Sequence, residues 1–164
     1  MTQKRDLEKI KQFARDSGVK LRYSDHKDPV ATAVCYPESG QITLYNKCIY
    51  NTKSHAATLL HEICHFLAYN KNNRAFDKYH ANPQTQKQHK DIYLIEKRDV
   101  SKMVDLFREI GCKYIPENYI AAMMEYDIWV YKYIWMFGIE PTRERKREER
   151  RKLTRQYGMT HIIK

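Results

Sequence analysis

Residues Leu59 to Phe66 read LLHEICHF, with two histidines four positions apart and a glutamate directly after the first. Apolar residues recur at helical spacing from residue 51 or 52 to about Tyr69, and asparagine and threonine are good N-cap residues. We therefore predict a helix here. Positions i and i+4 share one face of an α-helix, so His61 and His65 can direct imidazole nitrogens at one metal ion.

Glu62 completes an HExxH motif, which on a helix is typical of zinc peptidases. The helix rotates it by about 100° from His61, so it flanks the metal without necessarily binding it. There it can accept a proton from the attacking water, while zinc acidifies water and polarises a carbonyl. The motif predicts a hydrolase with Zn²⁺ as cofactor, His61 and His65 as metal ligands and Glu62 as catalytic base. Chance could assemble these residues in a chain with 7 histidines, but seldom within an apolar helical segment.

A catalytic zinc usually has three protein ligands, so a third is expected elsewhere. In one class of zinc peptidases, the metzincins, the third ligand is a histidine shortly after HExxH. That motif would place Gly at 68 and His at 71, whereas this chain has Ala68 and Lys71. We expect Glu125, because a carboxylate inside a long apolar segment is costly to bury unpaired. The alternative explanation is that Glu125 is partly exposed, or forms an ion pair with Lys132 or an arginine. Three competing ligands remain open: His80, His89 and Glu96.

The residues before the motif predict a helix and a small sheet. Residues 2–17 have an amphipathic helical pattern that ends before Gly18. Alternation over residues 19–23 and two β-prone runs, 31–36 and 41–45, predict three strands, the last two joined by a turn at 37–40. The fold class is therefore α+β.

The residues after the motif predict further helices and a charged end. Residues 70–88 are polar and read as a long loop, followed by helices over about 89–110 and from 116 or 117 to 137. The composition then changes to a mixed-sign run, so we expect a domain over 1–140 and a basic tail over 141–164. This tail predicts either a solvated helix or contact with nucleic acid, since the chain has a net charge of +10.

Composition also argues against several classes of protein. The four cysteines form no CxxC pair, which is unlike a zinc ribbon or a redox motif. The charged start lacks the pattern of a signal peptide, and three charges interrupt the apolar segment 119–139, which favours a buried helix over a membrane span. We therefore expect a cytoplasmic protein without a membrane partner.

With HEICH on one helix and EYDIW at 125–129 on a later one, the chain resembles the ImmA/IrrE-like and related small phage-type metallopeptidases. These are zincins that pair HExxH with a downstream E-x-E-A-N or E-x-E-A-W, and Trp129 falls at the last position of that motif. The resemblance implies a gluzincin-type site in which Glu125 is the third ligand. It also implies an edge strand, expected at residues 41–45, that binds an extended peptide above the metal helix.

A tyrosine, histidine or arginine near the zinc is expected to stabilise the oxyanion, and Tyr69, Tyr79 and Tyr126 are candidates. The function that we expect is a zinc metallopeptidase acting on a specific intracellular protein, such as a DNA-associated repressor. The alternative is a non-catalytic module with a zincin scaffold that binds nucleic acid or protein.

Overall fold

The structure is a computed structural model that describes residues 2–26, 31–69 and 85–160. Within these residues the protein is an α+β fold with a three-stranded mixed sheet and six α-helices, as the sequence predicted in outline. The strands are β1 Lys20–Ser24, β2 Ala33–Tyr36 and β3 Gln41–Tyr45. The helices are α1 Gln3–Asp16, α2 Thr52–Tyr69, α3 Gln86–Val100, α4 Met103–Glu109, α5 Glu117–Phe137 and α6 Arg143–Gln156.

The sheet has the order β1-β3-β2, so β3 is its central strand. The β3 strand pairs with β1 in parallel and with β2 in an antiparallel hairpin. The expectation that residues 41–45 form the edge strand was therefore wrong: β1 and β2 lie at the edges. The physical reason is visible in β3, where the side chains of Ile42 and Leu44 are fully buried and both backbone edges are paired.

The hairpin turn depends on Gly40, whose φ of 64° is in the left-handed region. A side chain would be strained there, and a Cβ would also lie 3.2 Å from the carbonyl oxygen of Gly18. The carbonyl of Gly40 accepts a hydrogen bond of 2.7 Å from the backbone of Lys20. This close approach joins the hairpin to the start of β1.

The α2 helix is the central element of the core. Its residues Leu59, Leu60 and Ile63 have no exposed surface, and it packs against the sheet, α1, α3, α4 and α5. Because side chains around most of its circumference are buried, the two histidines of the HExxH motif are carried by a helix that the core fixes on several sides.

The single helix predicted over residues 89–110 is two helices in the structure. It begins earlier, because Thr85 and Gln88 form a capping box, and it breaks at residues 101–102 before α4. The first part of the predicted loop, residues 70–84, lies outside the described residues. Val100 and Met103 are fully buried on either side of the break, so both helices contribute to the same core.

The end of the chain is packed on the domain. The α6 helix lies against α5, its Leu153 is only 2% exposed, and Asn118 donates a hydrogen bond of 2.9 Å to the carbonyl of Tyr157. The segment that composition set apart as a tail therefore belongs, as far as residue 160, to the folded unit. Among the described residues, no helix is both long and apolar enough to cross a bilayer.

Candidate metal centre

Three donor atoms from two helices converge beside the middle of α2. The Nε2 atoms of His61 and His65 lie 3.1 Å apart. Oε2 of Glu96, on α3, lies 3.1 Å from Nε2 of His65 and 3.4 Å from Nε2 of His61. Glu96 is 1% exposed and His65 is 3% exposed, so most of this cluster is shielded from water. In the described residues these three side chains form a group that could hold a metal ion.

The spacing of the three donors fits zinc. Zinc in proteins is tetrahedral with bonds of about 2.0–2.2 Å to imidazole nitrogen and carboxylate oxygen, which places neighbouring ligand atoms about 3.3–3.5 Å apart. The observed separations of 3.1, 3.1 and 3.4 Å are close to these tetrahedral edges. Two nitrogens and one oxygen are also the donor set of many catalytic zinc sites, which keep a fourth position for water or substrate.

Two further carboxylates orient the imidazoles from the outside. Nδ1 of His61 lies 3.0 Å from Oδ2 of Asp127 on α5, and Nδ1 of His65 lies 3.1 Å from Oδ2 of Asp99 on α3. An ionised carboxylate can only accept a hydrogen bond, so Nδ1 is the donor in each pair. The lone pair of each neutral ring is then on Nε2, the atom that faces the cluster, as is usual for metal-binding histidines.

The charges of the cluster favour a bound cation. Burial by itself lowers the pKa of His61 and of His65. Hydrogen bonds and charge interactions outweigh burial, since Asp127 and Glu96 raise the pKa of His61 well above its usual value. Glu96 and Asp99 likewise raise the pKa of His65 to about 9. The two rings therefore attract either protons or a metal ion, and a divalent cation satisfies all three facing acceptors at once.

Glu125, the expected third ligand, is placed elsewhere. Its two carboxylate oxygens accept hydrogen bonds from the hydroxyl of Tyr157 and from Nε2 of Gln156, the latter at 3.2 Å. The carboxylate is thus satisfied at the contact between α5 and α6, which removes the physical reason for expecting a metal there. About 200° of helix rotation separates residue 125 from residue 127, and it is Asp127 that contacts the metal helix. Glu96, and not Glu125, is therefore the carboxylate that the structure groups with His61 and His65.

Among the other competing ligands, His89 is on the first turn of α3, about two turns from Glu96, and is not in the cluster; His80 lies outside the described residues. A sequence signal for Glu96 existed. Glu96 and Asp99 are three positions apart, so they share one face of α3, and that face is buried within an otherwise polar helix. A pair of acids on the apolar side of a helix is expensive to bury without a cationic partner.

Glu62, the predicted catalytic base, lies on α2 directly after His61. It is 8% exposed, and its charge is one of those that raise the pKa of Tyr131. Among the three side chains of the cluster, that of His61 is the most exposed, at 13%. The side chain of Asp127, which contacts His61, is 26% exposed. Solvent therefore has most access to the cluster on the side of His61 and α5.

The expected oxyanion donors do not meet the cluster, but Tyr131 does. The hydroxyl of Tyr126 accepts a hydrogen bond of 3.1 Å from Arg150, and that of Tyr69 donates to Glu38, while Tyr79 lies outside the described residues. Tyr131 follows Asp127 by one helical turn and hydrogen-bonds Glu96. Burial, and then the charges of Glu96, Glu62 and Asp127, raise its pKa well above its usual value, so the phenol keeps its proton.

Comparisons with protein-family models, with curated proteins and with solved structures find no match for this chain.

Proposed function

We propose that this protein is a zinc-dependent metallopeptidase of zincin-like fold, in which His61, His65 and Glu96 hold the metal and Glu62 is the general base. The observation that supports this most is the convergence of two imidazole nitrogens and one carboxylate oxygen at near-tetrahedral spacing beside the glutamate of an HExxH motif. A zinc ion held there would acidify a water molecule and polarise the scissile carbonyl.

The residues of the chain have distinct tasks in this reaction. Glu62 accepts a proton from the attacking water and delivers it to the leaving amine. The hydroxyl of Tyr131 is hydrogen-bonded to Glu96 in this structure, and its raised pKa keeps the phenol protonated. If substrate displaces that contact, Tyr131 can donate the same proton to the oxygen on which negative charge develops. Asp99 and Asp127 hold the imidazoles in the tautomer that directs Nε2 at the metal.

The substrate is proposed to be a specific intracellular protein, because the resemblance to ImmA/IrrE-like peptidases implies substrates such as DNA-associated repressors. A segment of that protein would bind in extended form along the sheet. The strand that offers a free edge beside α2 is β2, since β3 is paired on both sides and β2 packs against α2.

The proposal is tested by comparing proteomes of cells that express wild type or Glu62→Gln. Wild type is expected to yield new peptide termini in one or a few proteins, and Glu62→Gln is expected to yield none, because the amide cannot accept a proton. The purified variant should still contain about one zinc per chain, since Glu62 is not a ligand. Cleavage by Glu62→Gln at the wild-type level would contradict the mechanism.

If both proteins contain zinc and neither changes any substrate, the metal is structural. The protein would then be a non-catalytic module with the same scaffold. The peptidase proposal would fail, but the proposal that these residues bind zinc would remain.

A further inference from the structure

The α6 helix has an uneven distribution of charge. It contains eight cationic side chains and three carboxylates. Arg145 pairs with Glu148 at 3.2 Å, and Lys152 pairs with Glu149 at 3.1 Å. Lys146 pairs with Glu140, just before the helix, at 2.9 Å. Arg150 stacks on the ring of Tyr126 and donates a hydrogen bond to its hydroxyl. Half of the cations are therefore already engaged within the protein.

The remaining four cations are arginines at every fourth position: Arg143, Arg147, Arg151 and Arg155. All four are exposed, and none of their guanidinium groups forms a hydrogen bond or an ion pair with another residue in the described parts of the chain. A step of four residues advances about 6 Å along an α-helix and rotates by about 40°. The four side chains thus form a gently winding row about 18 Å long, which we call the arginine row.

Packing fixes the direction in which the arginine row points. Leu153 and Thr154 are buried, and Lys146, Glu149 and Arg150 are half-buried on the side of α6 that faces α5. By helix geometry the arginine row runs from the flank of that side to the opposite side. The contact with α5 holds the helix in this orientation, because the buried leucine and the hydrogen bond from Asn118 to Tyr157 anchor its far end.

We infer that the arginine row binds the phosphate backbone of double-stranded nucleic acid. Exposed guanidinium groups without internal carboxylate partners are suited to phosphate, which they can bind in bidentate fashion. A net charge of +10 adds a long-range attraction for such a polyanion. The inference goes beyond the proposed peptidase function and does not depend on the metal centre.

The same helix is poorly suited to a membrane surface. A helix that lies in a lipid interface needs an exposed apolar face. Every exposed residue of α6 is charged apart from Gln156, and its buried leucine faces α5. The row is expected to contact phosphates without reading bases, because phosphate contacts fix position and carry no direct sequence information.

The test measures, by fluorescence anisotropy, the binding of a labelled duplex over a series of NaCl concentrations. The duplex has about 20 base pairs and is therefore about 68 Å long. Four phosphate contacts predict that log Kd rises with log salt with a slope of about 3.6. Arg147→Gln with Arg151→Gln should lower this slope by about 1.8 and weaken binding at low salt at least tenfold. Two duplexes of unrelated sequence should bind alike.

The matched control is the double variant Arg145→Gln with Lys152→Gln. It removes the same amount of positive charge, but from residues that already form ion pairs within α6. Each of these residues already neutralises a glutamate of α6, so this variant should keep most of the wild-type slope. Glu62→Gln should bind the duplex as wild type does, which separates this inference from the peptidase proposal.

Equal loss of binding in both double variants would show that net charge alone attracts the duplex, and this would overturn the arginine row as a site. The inference would equally fail if wild type did not bind duplex at low salt. It would also fail if wild type preferred vesicles of phosphatidylserine and phosphatidylcholine to the duplex.

Discussion

At the scale of single residues, the proposed metal centre includes two acids that face the outer nitrogens of its histidines. Asp99 and Asp127 come from two different helices, and each accepts a hydrogen bond from the Nδ1 atom of one histidine. Asp99 is itself held by Arg98, whose guanidinium lies 2.6 Å from its other oxygen. These contacts lower the pKa of Asp99 although burial opposes this, so the carboxylate stays charged. The charge makes the ring of His65 a stronger donor to a metal.

Replacing Asp99 with asparagine should weaken zinc binding by about 10-fold to 100-fold, the usual cost of losing an outer partner of a metal-binding histidine. The amide can still accept a hydrogen bond from Nδ1, but the negative charge is lost. The measurement is competition for zinc against a chromophoric chelator.

Asp105→Asn is the matched control for that variant, because its side chain is 82% exposed and faces Arg108 on α4. It should leave zinc affinity unchanged. Wild-type zinc affinity in Asp99→Asn would show that the carboxylate is only a structural neighbour of His65.

At the scale of elements, a buried acid sets the start of α5. Asp6, on α1, has no exposed surface, and its carboxylate accepts backbone hydrogen bonds from Lys113, Tyr114 and Ile115, at 2.5 to 3.0 Å. These residues form the loop that leads into α5, the helix that supplies Asp127 and Tyr131. The contact therefore connects the first helix of the chain to one wall of the metal centre.

Asp6→Ala should lower the free energy of unfolding by about 3 kcal/mol or more, because hydrogen bonds to charged groups contribute about 1.5–3 kcal/mol and three N–H donors would be left unsatisfied. Urea denaturation monitored by circular dichroism measures the change. Asp16→Ala, at the exposed end of the same helix, should change stability by less than about 0.5 kcal/mol. A similar small effect for Asp6→Ala would contradict the structural role of this carboxylate.

The spacing of apolar residues along the sequence predicted most of these strands and helices, because that spacing reflects which side chains are buried. Alternation identified the strands, and the 3.6-residue spacing identified α1, α2 and α5 close to their observed ends. Strand order was not accessible in this way, because a pattern of exposure along 41–45 does not say which neighbours pair with it. The start of α3 was missed although Thr85 and Gln88 carry a capping-box pattern, since the polar residues around them favoured a loop.

At the scale of the whole molecule, the site is where three helices meet. The approach of His61 to His65 could be predicted because the motif is local, within one turn of α2; the role of Glu62 stays a prediction. The spacing of Glu96 from Asp99 was a sequence signal, but it could not show that Glu96 meets His65, because the two are 31 positions apart and come together only when α3 packs across α2. Glu125 was predicted because it stands in an apolar segment, but in the structure it is only half-buried and accepts hydrogen bonds from Tyr157 and Gln156.

The zinc content of two matched variants tests this arrangement most directly. Glu96→Gln and Glu125→Gln each convert one carboxylate to an amide of the same size, and both should keep the fold by circular dichroism. After dialysis against a chelator concentration that leaves about one zinc on each wild-type chain, Glu96→Gln should have lost its metal and Glu125→Gln should have kept it. Retention of zinc by Glu96→Gln together with loss from Glu125→Gln would contradict the account.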